Sequence, residues 1–463
     1  MTEEKIMEQI KENKMANAPM LKLIISMSLP SMFSMLIQAL YNVVDSIYVA
    51  RFSQEALTAV SLAFPLQMLI ISVAVGTGVG INSLVSRRLG EKRFDEADSA
   101  ATHGVILAFL SWIAFVILGL ICIEPYFSMM DASENVKQLS CTYTNIVVFA
   151  SLGCFVQCIL EKTLQATGDM INPMIFQLVG AVSNIILDPI FIFGYFGVPS
   201  LGIAGAAIAT VSAQFIAMIL SIIVVFKKSH DVHIRFQGFK WSNKTVKDIY
   251  VVGIPSIVMQ AIASVLTTAL NKILISFSEV AVSVLGIYFK LQSFVFMPVF
   301  GMTQGAMPIL GYSYGARNKK RLLSALKYGL IIGITIMLIG TLIFWLVPQQ
   351  LLMIFDATPE MLAIGIPALR TISLCFVAAA VGIMFSTMFQ AVGLGINSLV
   401  VSLLRQIIIL LPAAYFLSKI GLSAVWYAYP IAEIGSLIAS IVLYRRVYNA
   451  RIMTLVSDDV TKN

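Results

Sequence analysis

Hydrophobic residues fall along this chain in twelve long runs, separated by short polar turns. The runs cover about 20–48, 55–85, 99–123, 136–161, 170–195 and 200–226. After a polar stretch they resume at about 248–276, 280–310, 322–347, 361–388, 396–418 and 422–446. Roughly 20 apolar residues suffice for a helix to cross a bilayer. The runs lack the short alternation of outer-membrane strands. The pattern therefore predicts an all-α integral membrane protein with twelve transmembrane helices, numbered here as spans 1 to 12.

The second six runs repeat the first six at a constant offset of 225 residues. Pro30 recurs as Pro255, Gln67 as Gln292, and Gly76, Gly80 and Gly90 as Gly301, Gly305 and Gly315. Asp131-Ala132 recurs as Asp356-Ala357, and Gly168, Ile171 and Asn172 as Gly393, Ile396 and Asn397. Six spans per copy is an even number, so both copies insert the same way up. They are expected to form two six-helix lobes related by a pseudo-twofold along the membrane normal. Duplications of this kind mark many secondary transporters, whose substrate site lies between the copies. The expected layout is a polar N-terminal segment (1–19), a first lobe (20–226), a basic linker (227–247), a second lobe (248–446) and a tail (447–463).

Composition agrees with a membrane setting. The 463 residues are 59% hydrophobic and 12% charged, about half the charged fraction of a soluble globular protein. The N-terminus has no apolar core, so it is not a signal peptide, and span 1 is expected to act as the insertion signal. Twenty-four of the 31 Lys and Arg fall in segments that share one side if both termini are cytoplasmic. Positive residues concentrate on the cytoplasmic face, which sets the expected orientation. The net charge of +7 then calls for anionic lipid, and not nucleic acid, beside the linker. The five cysteines show no metal spacing and read as packing residues.

Ionisable groups inside spans are costly and usually face a cavity or a partner. Asp45 lies in span 1, about 12 Å along the helix from its external end near Ser53. Asp188 lies in span 5 at a similar depth, and Asn184, four positions earlier, shares its helical face. Thr210 in span 6 reaches the same level. An oxygen-rich set with two carboxylates suits a hard cation such as Na⁺ or an exchangeable proton. In the second copy Asp45 and Asp188 are matched by Leu270 and Ala413, so the repeat kept the scaffold and not these acids. Plainer readings stay open. Asp45 would cap a local break or pair with a base, Asp188 before Pro189 would form a structural turn, and Asn184 and Thr210 would hold helices together.

Gln38, Gln67 and Gln292 add neutral polar groups. Phe64, Met68, Phe289 and Met297 crowd spans 2 and 8, where soft side chains suit a pocket for varied lipophilic compounds, or simply pack. Lys290 in span 8 would tune such a cavity or pair with a carboxylate; otherwise it snorkels. Arg370 and Arg405 sit near enough to span ends to snorkel, and Glu433 is ambiguous. No HExxH, GxxxxGK[ST] or GxSxG pattern occurs, which excludes ATP hydrolysis and these catalytic classes. Gly76 to Gly80 resembles a nucleotide loop only superficially; close helix packing accounts for it.

Several stretches resemble the multidrug and toxic compound extrusion (MATE) transporters across essentially the whole chain. They are Leu29-Pro30, Tyr41-Asn42-Val43-Val44-Asp45, Leu164-Gln165-Ala166-Thr167-Gly168-Asp169, Asn184 to Pro189 and Gly202 to Ala207. The closest likeness is to the bacterial branches with MepA- and DinF-type members. The resemblance implies an antiporter of the bacterial cytoplasmic membrane, not an enzyme and without a cofactor. It would export lipophilic or cationic drugs against inward H⁺ or Na⁺, and is expected to act as a monomer. It places the cation site at Asp45, Asn184, Asp188 and Thr210. The second-lobe acids of the NorM branch find no match in span 7, since Glu279 is expected in the loop after it. A lipid-linked precursor flippase of the same superfold, or a channel or scaffold, are the alternatives.

Overall fold

Within a bilayer no water satisfies the backbone, so apolar runs of this length close their hydrogen bonds along the chain as helices. The structure, a computed structural model, describes residues 13–130, 132–227 and 231–455. Lys5, Lys11, Asp131, Lys228, His230 and Lys462 lie outside the described residues. Eight spans are unbroken helices: Met20–Phe52, Gln54–Gly90, Phe94–Ser128, Ile171–Phe193, Gly202–Lys227, Asn243–Ile275, Glu279–Gly315 and Lys319–Leu346. They are spans 1–3 and 5–9. Spans 11 and 12 run Gly395–Ser418 and Leu422–Ile452, and a π-helical turn, Leu404–Leu410, lies inside span 11. Spans 4 and 10 are each two helices. Glu134–Phe149 meets Leu152–Ala166 at 45°, and Pro359–Ser373 meets Phe376–Ala391 at 47°. Ten helices and two bent pairs make the twelve spans.

The two breaks fall at equivalent places in the repeat, and each is held by the same device. Ending a helix inside a span frees carbonyl oxygens that need donors. In span 4 the Trp112 indole, from span 3, donates to the Phe149 carbonyl at 2.8 Å. In span 10 the Trp345 indole, from span 9, donates to the Arg370 carbonyl at 3.0 Å. The Thr341 hydroxyl donates to the Ser373 carbonyl at 3.1 Å. Other details recur at the offset of 225. Ser133 and Thr358 cap the starts of spans 4 and 10, and Gly168 and Gly393 follow those spans with positive φ. Glu279, expected in a loop, is the first residue of span 8, whose N-cap is Ser278; the serine hydroxyl accepts from the Ala281 N–H and draws the helix back over it.

The chain divides into two compact units. One comprises Phe33–Val85 and Arg93–Gly253; the other takes the chain up to Met32, Ser86–Lys92 and everything from Ile254. In the first unit, the start of span 7 lies against the glycines of span 2. A Cβ on Gly80 would run into the Ile249 carbonyl, and one on Gly253 would stand 3.2 Å from the Gly76 oxygen. In the second unit, the start of span 1 lies the same way against span 8. Cβ atoms on Gly301 and Gly305 would meet the Met32 and Met27 backbone at 2.5 and 2.7 Å. These glycines are close-packing residues inside helices, not a nucleotide loop. The linker is strapped to span 3: the Ser242 N–H donates to Nε2 of the buried His103 at 2.9 Å, and Asp98 accepts from the His233 N–H at 2.7 Å.

Candidate functional site

Asp45, Asn184, Asp188 and Thr210 come together within the first unit. Span 5 supplies Asn184 and Asp188 one helical turn apart, and span 6 returns antiparallel with Thr210 beside them. Their exposures are 2%, 0% and 5% respectively. The Asn184 amide donates to Asp188 Oδ1 at 3.3 Å and to Thr210 Oγ1 at 3.4 Å. Both exceed the usual 2.9–3.0 Å, so the amide grips neither oxygen tightly. Asp45 on span 1 completes the set, its carboxyl within hydrogen-bonding reach of Asp188. Two carboxylates only accept, so that contact forms only with a proton between them.

The donors run out before the acceptors do. Asp45 Oδ1, Asp188 Oδ2 and Asn184 Oδ1 are all buried with no hydrogen-bond partner. An unpaired buried acceptor costs about 1–3 kcal/mol, more when charged. Three in one cluster ask for something positive, and a proton or a small hard cation with oxygen ligands supplies it. The donor set fits either: two carboxyls, one amide and one hydroxyl. No group of three His, Cys, Asp or Glu placed to hold a metal ion occurs among the described residues.

Two residues overlooked in the sequence border this cluster. Tyr41 lies one turn before Asp45 on span 1, in the field of both Asp45 and Asp188. That i, i+4 spacing was available in the sequence. Tyr143, 3% exposed, comes from span 4 and lies near Asp45, Tyr41, Asp188 and Gln67. Nothing in the chain links position 143 to position 45. Gln38 and Met68 are half-buried on spans 1 and 2, and Phe64 is 50% exposed. In the second unit the Phe289 and Tyr288 rings lie 5.5 Å apart, tilted by 50°, and Gln292 and Met297 are half-buried. Among the described residues Lys290 pairs with no carboxylate; its ammonium lies 5.7 Å over the Phe355 ring.

Other charged positions depart from the sequence reading. Lys162, counted as a cytoplasmic charge, is buried. It lies 3.6 Å from Glu161 and donates to Gln165 at 2.9 Å, while Gln165 and Gln177 both donate to Glu161. A lysine at 6% exposure needs such partners. Arg405 does not snorkel to a span end but pairs with Glu433 at 3.2 Å. Arg370 turns its Nε–H to the Trp345 carbonyl at 3.3 Å. The five cysteines are free thiols.

The family model described as MatE matches residues 30–190 and 255–416, one stretch in each copy of the repeat. The chain belongs to the MatE family. Its members are membrane transporters and not enzymes. This MatE protein is 26% identical over 436 residues to the FAD transporter of Shewanella oneidensis, across 93% of this chain and 96% of that one. It is 24% identical over 432 residues to the multidrug export protein MepA of Staphylococcus aureus, across 92% and 94%. An outward-facing multidrug resistance MATE transporter of the MOP superfamily has the same fold. Its TM-score is 0.89 at 30% identity, over 96% of this chain and 98% of that one.

Proposed function

We propose that this MatE transporter is an antiporter that exports lipophilic or cationic compounds against an inward flow of H⁺ or Na⁺, coupled at Asp45, Asn184, Asp188 and Thr210. The observation that carries this reading is the set of three buried acceptor oxygens without a donor around two facing carboxyls. With the transporter open outwards, a proton or Na⁺ neutralises the carboxyl pair. Spans 1, 5 and 6 then repack and release the compound. The two lobes rock to face inwards, the ion leaves, and a new compound resets the cycle. Both termini face the cytoplasm, and a monomer completes the cycle.

Similarity to an FAD transporter favours a second reading, in which flavin nucleotides are among the substrates. Ethidium efflux from bacteria stripped of their own major pumps tests the first reading. Asp45→Asn and Asp188→Asn are expected to bring efflux to background while the protein stays in the membrane at normal abundance. Undiminished ethidium efflux in either variant sinks the coupling assignment; export of FAD without ethidium supports the second reading.

A further inference from the structure

The second copy lacks Asp45 and Asp188, yet it has a charged pair of its own that the first copy lacks. At the offset of 225, Arg405 and Glu433 are matched by Gly180 and Ile208. Neither belongs to the shared scaffold. The pair joins spans 11 and 12 inside the second unit, with Arg405 ten residues into a span of 24. A guanidinium at that depth is costly unless it is paired or faces a cavity.

The pair is lopsided. Glu433 is satisfied at both oxygens: Oε1 accepts from Arg405 at 3.2 Å, and Oε2 from the Ser436 hydroxyl at 3.2 Å. Arg405 is not satisfied. Of its five N–H donors, only the one bond to Glu433 finds a partner among the described residues. Its side chain keeps 28% of its surface accessible, against 11% for Glu433. It stands in the π-helical turn Leu404–Leu410, a distortion frequent at functional sites. Beside the pair, Tyr288 lies in the field of both charges, and its ring meets Tyr429 at 5.8 Å. The Tyr429 hydroxyl is buried without a partner.

We propose that Arg405 is a binding residue for the phosphate of a transported compound, with Glu433 as the internal anion that holds its place. A planar fork with unused donors matches phosphate oxygens two at a time. When a phosphate binds, Arg405 turns from Glu433 towards it, and Ser436 keeps one hydrogen bond to the released carboxylate. Phosphate departure restores the ion pair, so Arg405 is never left bare. This rests on the transporter reading above and names a substrate class that the acid cluster of the first unit would not hold.

Flavin mononucleotide and riboflavin differ only by a phosphate, and quenching of their fluorescence reports binding to the purified full-length protein. The wild type is expected to bind flavin mononucleotide about tenfold more tightly than riboflavin, a difference of about 1.4 kcal/mol. Glu433→Gln removes the competing charge and should widen that ratio. Arg405→Gln should bring it to one. Because Arg405→Gln leaves a carboxylate unpaired, the double variant Arg405→Gln/Glu433→Gln keeps a neutral hydrogen-bonded pair as a folded control, and its ratio should also be one. Repeating the titration in nanodiscs of phosphatidylglycerol separates the sources of phosphate. Loss of flavin mononucleotide binding there assigns the site to lipid headgroups, and retention assigns it to soluble esters. Equal binding of the two flavins by the wild type, or a ratio unchanged in both Arg405 variants, overturns the proposal and leaves the pair as a link between helices. The assay uses no ion gradient, so its failure leaves the coupling assignment standing, and failed coupling leaves the assay readable.

Discussion

Asp45 and Asp188 stood out in the sequence because a charge inside an apolar run has few uses. Asn184 and Thr210 followed from helical spacing and depth, and the structure puts all four within one cluster. Tyr41 was equally legible, one turn from Asp45. Tyr143 and Gln67 were not, since their place beside the acids depends on how spans 2 and 4 pack. Tyr143→Phe removes a hydroxyl beside the acid cluster and keeps the ring. Losing one polar group there is expected to weaken transport without abolishing it, measured as the initial rate of ethidium efflux. Lys162 and Arg405 were misread and Glu433 was left ambiguous for one cause: each was judged alone, whereas burial of a charge is decided by its partner. Glu161 and Lys162 are adjacent in sequence, and only the fold shows them both buried.

At the level of helices, the glycines that recur at 225 mark where backbones approach. Alanine at Gly80 would drive a methyl into the Ile249 carbonyl, and at Gly305 into the Met27 backbone. Overpacking of this kind costs typically about 1–3 kcal/mol. Gly286, also inside span 8, has nothing within 4 Å of an added Cβ, and alanine there gains up to about 1 kcal/mol of helix propensity. Gly80→Ala and Gly305→Ala should therefore lower the thermal midpoint of the purified protein by several degrees, while Gly286→Ala leaves it equal or raises it. The breaks in spans 4 and 10 were invisible in hydropathy, because apolar residues run on across each, from Ile146 to Val156 and from Leu374 to Val381. What fixes them is side-chain chemistry across helices, with Trp112 and Trp345 donating to freed carbonyls. Trp112→Phe should cost about one hydrogen bond of stability, roughly 1 kcal/mol, read as a lower thermal midpoint of the purified protein.

For the whole molecule, the duplication and the number of spans were legible because both follow from the period of apolar runs. The composition of the compact units was not. Each takes in the opening of the other copy's first span, an arrangement that depends on glycine contacts distant in sequence. The proposed orientation, with both termini cytoplasmic, rests on the placement of Lys and Arg. With the native cysteines replaced, a cysteine at Lys419 should react with an impermeant maleimide in intact cells. One at Lys240 should react only after the membrane is opened.

Purified protein in liposomes, loaded with ethidium and exposed to an H⁺ gradient or a Na⁺ gradient in turn, tests ion coupling at the acid cluster most directly. Wild-type protein should move ethidium against its gradient under at least one of the two. Asp45→Asn and Asp188→Asn, reconstituted in equal amounts, should move none under either. Ethidium accumulation at the wild-type rate in both variants, or in the wild type with no ion gradient present, would contradict it.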